Sequence, residues 1–226
     1  MTILYDSLAL ELATHGLLLR GGFHPTPADA IPVSAPGVPA ATVLMIGNAG
    51  AAMWVAFETR RPPGANPLDR WTREIITPIA ARLGARAIYP YDKPAQPFQR
   101  WAARAWPLFP SPLGLLIDPD YGLWHALRGA LLFADALDLP TRIERVSPCI
   151  SCSGKPCLTS CPVGAYDGIG FDYTGCRDYL ETPAAHACNS RGCGARNACP
   201  VGTSERYPPA QQQFHSRAFR GVSAND

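Results

Sequence analysis

The chain has 226 residues, 47% of them hydrophobic, with 20 basic against 18 acidic side chains. That length holds one well-buried core plus a smaller module needing its own source of stability. The charge balance, with each half of a split at residue 140 within two charges of neutral, excludes the basic footprint of a nucleic-acid binder.

The opening MTILYDSLALELATHG has no basic start and is interrupted by Asp6, Glu11 and His15, unlike a signal peptide. No stretch approaches the roughly 18 apolar residues of a membrane helix, so the expected location is the cytoplasm, without a membrane partner. Residues 5–19 place apolar side chains at helical spacing, and Gly21-Gly22 reads as the stop. The proline-rich residues 24–41 read as a surface loop. TVLMIG, 42–47, is a short apolar run that predicts a buried strand. Residues 51–60 and 67–84 read as helices, the second broken or kinked at Pro78. RAIYP predicts a strand, FQRWAARAW (98–106) a helix, and LGLLI (113–117) a strand before the turn DPDYG. LWHALRGALLF, 123–133, fits strand or helix by periodicity alone. Strands alternating with helices predict a layered α+β domain over 1–145. Residues 146–203 form a second module without periodicity, and 204–226 a polar tail. Within the tail a short helix is expected over 209–219, docking Phe214 and Phe219, and the last five residues are expected to be mobile.

All eight cysteines fall between Cys149 and Cys199. In a reducing compartment such a cluster binds metal rather than forming disulfides, and ligation replaces the core that this segment lacks. Cys149, Cys152, Cys157 and Cys161-Pro162 are followed by Cys176, Cys188, Cys193 and Cys199-Pro200. The arrangement resembles two-cluster bacterial ferredoxins, in which three cysteines wrap one [4Fe-4S] cluster and the proline-linked fourth reaches the other. That resemblance implies Cys149, Cys152, Cys157 and Cys199 on one cluster, and Cys161, Cys176, Cys188 and Cys193 on the other. Zinc prefers two CxxC pairs on separate knuckles, and only Cys149 and Cys152 make one. The alternatives of zinc, and of a [3Fe-4S] or [2Fe-2S] cluster in one site, stay open. Gly154, Gly164, Gly168, Gly170, Gly192 and Gly194 read either as turn glycines or as places where backbone amides approach sulfur.

SPLGLLIDPDYGLWHALRGALLFADALDLP, 111–140, resembles a segment shared by epoxyqueuosine reductases and the cobalamin-processing proteins of the methylmalonic aciduria and homocystinuria type C family. DKPAQPFQRWA, from Asp92, resembles the reductase segment that opens with a proton-donating aspartate, and GCRDYL between the cysteine groups also follows the reductases. Gly114 and Arg128 follow the processing proteins. The resemblance implies a nitroreductase-like α+β domain holding cobalamin in an apolar cavity, followed by a two-cluster ferredoxin-like module. It also implies a redox protein, an oxidoreductase that reduces, dealkylates or decyanates the corrinoid with electrons relayed through two [4Fe-4S] clusters. Partners would be the corrinoid and an electron-donor reductase or ferredoxin. The alternatives are an electron-transfer ferredoxin with a partner-docking domain and an epoxyqueuosine reductase-like enzyme; flavin in place of corrin is also open.

Individual residues carry two readings each. Asp92 is a proton donor or a turn residue. Arg128 grips a ligand's anionic or amide group or forms a structural ion pair. Tyr121, Trp124 and Trp101 line a flat macrocycle or fill a core. Gly114 lets backbone approach the ring. His125 ligates cobalt or faces solvent.

Overall fold

The computed structural model describes residues 3–221. The chain divides into two compact units. One takes the chain up to Pro107 together with His125–Glu144, and the other takes Leu108–Trp124 together with the chain from Arg145 onward. The division is therefore not a single cut near residue 145, because 108–124 groups with the cysteine segment.

The first unit is built on a four-stranded antiparallel sheet. Helix α1 (Ile3–Ala13) leads into β1 (Leu18–Phe23), then β2 (Thr42–Ala49), α2 (Ala52–Thr59), α3 (Pro67–Arg82), β3 (Arg86–Ile88) and α4 (Phe98–Ala105). After an excursion into the second unit, containing the short pair β4 (Phe109–Pro110) and β5 (Leu116–Ile117), the chain returns as β6 (His125–Phe133). Strand order is β1-β2-β6-β3. Every residue of β2 is buried, which is why its sequence is a continuous apolar run rather than an alternating one. It pairs with β6 from Thr42 opposite Phe133 to Ala49 opposite His125, and that pairing resolves 125–133 as strand.

Three expectations change. The first helix ends at Ala13 rather than near 19: Gly16, at φ +66°, lets the Gly16 amide reach the Ala13 carbonyl at 2.9 Å and the Leu17 amide the Leu12 carbonyl at 3.0 Å, a left-handed helix end. The following residues then pair with β2, and Gly21-Gly22 sits at a register shift in that strand instead of stopping a helix. Helix α3 runs through Pro78 without a break; Pro78 and Glu74, whose carbonyl loses its donor, are both exposed, where a freed carbonyl costs little. Of LGLLI only Leu116–Ile117 is strand, paired to Phe109–Pro110.

In the second unit order comes from short pieces: α5 (Pro148–Ser151), α6 (Pro156–Thr159), α7 (Tyr173–Leu180), α8 (His186–Arg191), α9 (Gly194–Asn197) and α10 (Pro209–Arg220). The tail helix is thus present, with Phe219 6.2 Å from Phe171 and 5.3 Å from Tyr173. The last five residues lie outside the described residues.

Candidate metal centre

Turns and single helical turns, not long elements, position the thiols. Proline starts α5 and α6, fixing φ where the first amides lack helical partners anyway, and these turns carry Cys149 and Cys157, with Cys152 capping α5. Lys155 ties the loop between them, its Nζ donating to the carbonyls of Cys149 at 2.9 Å and Cys152 at 3.4 Å. Helices α7 and α8 carry Cys176 and Cys188. Cys193 caps the start of α9, and Cys199 follows that helix.

All eight cysteines are free, with Cys157 and Cys199 buried and the others partly so. Their electrostatic neighbours divide them. Burial pushes the Cys149 thiol up and Cys199 beside it adds to the shift, against Lys155. Burial likewise raises Cys157, with Cys199, Cys149 and Cys152 as its charged neighbours. Cys176 is pushed up to about 11, by burial first and then by Cys193, Cys161 and Cys188. Burial also raises Cys188, opposed by a hydrogen bond from the Gly194 amide and reinforced by Cys193 and Cys161. Cys199 is thus an electrostatic neighbour of Cys149 and Cys157, and Cys161 one of Cys176 and Cys188. Thiols that resist ionisation through burial and mutual repulsion need a cation to become thiolates.

The surroundings are apolar. Cys157 and Cys199 share a core with Leu113, Ile117, Leu123 and Ala195, and Cys149, Cys161 and Cys193 pack against it. Cys161, Cys176, Cys188 and Cys193 line a cavity of about 310 Å³ whose walls include Leu113, Leu180 and Tyr166. Besides the Gly194 amide at Cys188, the Ala165 amide donates to Cys161 Sγ at 3.3 Å, and the Tyr166 hydroxyl lies 4.0 Å from Cys193 Sγ. Among the described residues no three His, Cys, Asp or Glu side chains gather as a single metal ion needs. A tetrahedral zinc would hold its sulfurs about 2.3 Å from one centre.

The unit closes around the ligands through residues that the sequence did not flag. Arg196 donates to the Leu123 carbonyl and lies between two rings, 4.6 Å from the Trp124 centroid and 4.7 Å from that of Tyr207. Gly122 (φ +60°) and Gly202 (φ +65°) meet backbone to backbone, so that a Cβ on Gly122 would overlap the Val201 carbonyl. This anchors the chain just after Cys199. Of the glycines between the ligands, Gly194 serves Cys188, whereas the Gly170 amide bonds to Asp167 Oδ1 at 2.6 Å.

The other candidates are dispersed. Gly114, Tyr121 and Trp124 belong to the second unit, and Asp92 and Arg128 to the first. Gly114 closes a turn, its amide donating to the Ser111 carbonyl at 3.0 Å. Tyr121 sits in the turn capped by Asp118, whose Oδ1 accepts its amide at 2.9 Å. Trp124 is fully buried, 5.5 Å from Tyr207, and fills that unit's core, which leaves its ring no open face for a macrocycle. Trp101 is core too, its Nε1 donating to the Asp29 carbonyl at 2.9 Å. Asp92 accepts the Tyr89 amide at 2.8 Å and the Arg73 guanidinium at 2.6 Å. Both its oxygens are engaged, and it holds a turn. Arg128 donates from Nε to Asn48 Oδ1 at 2.7 Å and lines a cavity of about 250 Å³ with Asp69, Thr72 and Tyr91. There burial pushes the Asp69 carboxyl up, against the pull of Arg128 and Arg73.

An α+β sheet unit with a thiol-rich companion is the class these features define. Solved structures share the fold. The C. elegans B12-trafficking protein CblC, a human MMACHC homologue, aligns with a TM-score of 0.57 at 14% identity over 97% of this chain and 95% of its own. Epoxyqueuosine reductase from Streptococcus thermophilus aligns at 0.55 and 14% identity, over 92% of this chain and 68% of its own. An epoxyqueuosine reductase bound to a modified tRNA-Tyr stem loop aligns at 0.50 and 18% identity. That match covers 92% of this chain and only 60% of the reductase. No protein-family model and no curated protein matches the chain. Among the described residues no helix is long and apolar enough to cross a membrane.

Proposed function

We propose that this chain is a two-cluster iron–sulfur redox protein that binds a corrinoid and reduces it or removes its upper ligand. The observation that supports this reading is the gathering of eight free thiols in one apolar unit, with Cys161, Cys176, Cys188 and Cys193 lining one cavity and Cys157 and Cys199 sharing a core. The residues fit such groups: soft thiolate donors, an apolar wall and backbone amides aimed at sulfur. When bound, the clusters would supply one-electron transfer. Cys149, Cys152, Cys157 and Cys199 would hold one, and Cys161, Cys176, Cys188 and Cys193 the other. The chain itself ties the first loop through Lys155, keeps water from the sulfurs with Leu113 and Leu180, and anchors Cys199 through the Gly122–Gly202 contact.

The corrinoid half of the proposal draws support from the shared fold and matched length of the CblC alignment, which is fold-level analogy. Arg128, lining a cavity of about 250 Å³, is the proposed contact for an amide or anionic side group. Near-neutral charge argues against a tRNA-borne substrate.

Anaerobically prepared protein should contain about eight iron and eight sulfide per chain. Titration with cyanocobalamin and its cobalt(II) form should give a base-off spectrum, and dithionite should then release cyanide. Clusters without any corrinoid response would leave an electron-transfer protein with a docking domain. A colourless protein holding zinc would overturn both halves.

A further inference from the structure

We propose that Tyr166 is a positioning residue that sets the reduction potential of the cluster held by Cys161, Cys176, Cys188 and Cys193, by donating its hydroxyl hydrogen to the Cys193 sulfur. This rests on the two-cluster reading and deepens it. The ligand spacing alone assigns Tyr166 nothing.

The geometry pins the ring. After Cys161 the chain turns through Gly164, at φ +60°, and the next amide, of Ala165, bonds to Cys161 Sγ. Tyr166 then pairs with Phe171 in an antiparallel bridge. The tight loop between them is tied by Asp167 Oδ1, which accepts the amides of Ile169 at 2.8 Å and Gly170 at 2.6 Å. Phe171 stacks on Tyr166, ring centroids 4.8 Å apart and planes 19° from parallel. With Phe171 on one face, Tyr166 lines the cavity of the four thiols and brings its hydroxyl to 4.0 Å from Cys193 Sγ. A ligated thiolate has no proton to give, so the hydroxyl is the donor. A hydrogen bond to a ligand sulfur stabilises the reduced, more negative state and raises the potential.

The test compares wild type with Tyr166→Phe in anaerobic redox titrations followed by EPR. The relevant cluster is identified as the one whose signal Cys193→Ser alters. The aromatic ring stays and only the donor goes, so at a fixed applied potential the reduced-to-oxidised ratio of that cluster should fall about tenfold, equivalent to about 59 mV for one electron. The other cluster should not move. Tyr166→Phe with both clusters loaded and neither potential shifted, or both shifted equally, overturns the proposal. If Tyr166→Phe does not hold its cluster, fluorotyrosine at position 166, a stronger donor of nearly the same shape, decides. A raised potential supports the hydrogen bond, and an unchanged one overturns it. If wild type itself lacks iron and sulfide, it is the two-cluster reading that fails; clusters present with unmoved potentials sink the role of Tyr166 alone.

Discussion

The two units hold themselves together by different means. In the first, an all-buried central strand, β2, and helices with apolar faces remove side chains such as Met45, Ile46, Trp71 and Leu131 from water. In the second, α5, α6 and α9 are four residues each, far below the length at which a helix stands alone. The side chains buried at its centre include the thiols of Cys157 and Cys199 themselves. One unit is stabilised by the hydrophobic effect; the other concentrates thiols where a core would be.

Removing metal should break the comparison open. Anaerobic iron chelation should abolish the order of the second unit, seen as lost helical circular dichroism and rapid amide exchange over 148–199, while amides of β2 and β6 stay protected. Equal loss of protection in the sheet would contradict separate sources of stability. Next in size, Cys149→Ser and Cys161→Ser should each lose about half of the bound iron, with the EPR signal of a different cluster vanishing in each case. Loss of the same signal in both would refute the crossed ligand groups. On the other side, Leu131→Ala, at a fully buried site, should cost about 2–5 kcal/mol in denaturant unfolding of the sheet while leaving iron content unchanged.

A smaller effect sharpens the contrast from within the second unit. Gly122→Ala combines a left-handed backbone with overlap on the Val201 carbonyl and should cost about 1–3 kcal/mol. It should also disturb the signal of the cluster holding Cys199, which Leu131→Ala should not. The smallest effect concerns acid. Burial alone would raise the Asp29 carboxyl, but hydrogen bonds from the Thr26 amide and hydroxyl and the Arg104 guanidinium outweigh it and hold it below its ordinary value of 3.8. Its stabilising contribution is therefore complete above that ordinary value and is lost as pH falls through the lower folded one. Asp29→Asn should remove this acid-side dependence from the sheet's unfolding and leave the thiol-rich unit untouched.

Much of this layout was legible in the chain. The apolar run at 42–47, the helices at 51–60, 67–84 and 98–106, the tail helix and the confinement of all eight cysteines to one segment follow from local pattern, because burial period and residue type report what a segment's own neighbours demand. Where local pattern misled, a contact from elsewhere decided. Leu18–Phe23 is strand because β2 offers it a partner, and Trp124 fills a core because Tyr207 and Arg196 arrive from more than 70 positions later in the chain.

Composition and spacing by themselves determined that this protein has a sheet-bearing domain and a thiol-rich one. Only the tertiary structure decided that 108–124 joins the second unit and that a tyrosine hydroxyl comes to 4.0 Å from the Cys193 sulfur. Such facts depend on where the backbone returns after long intervals, and the free energy that selects the return is spread over a packed interior that no single stretch of sequence contains.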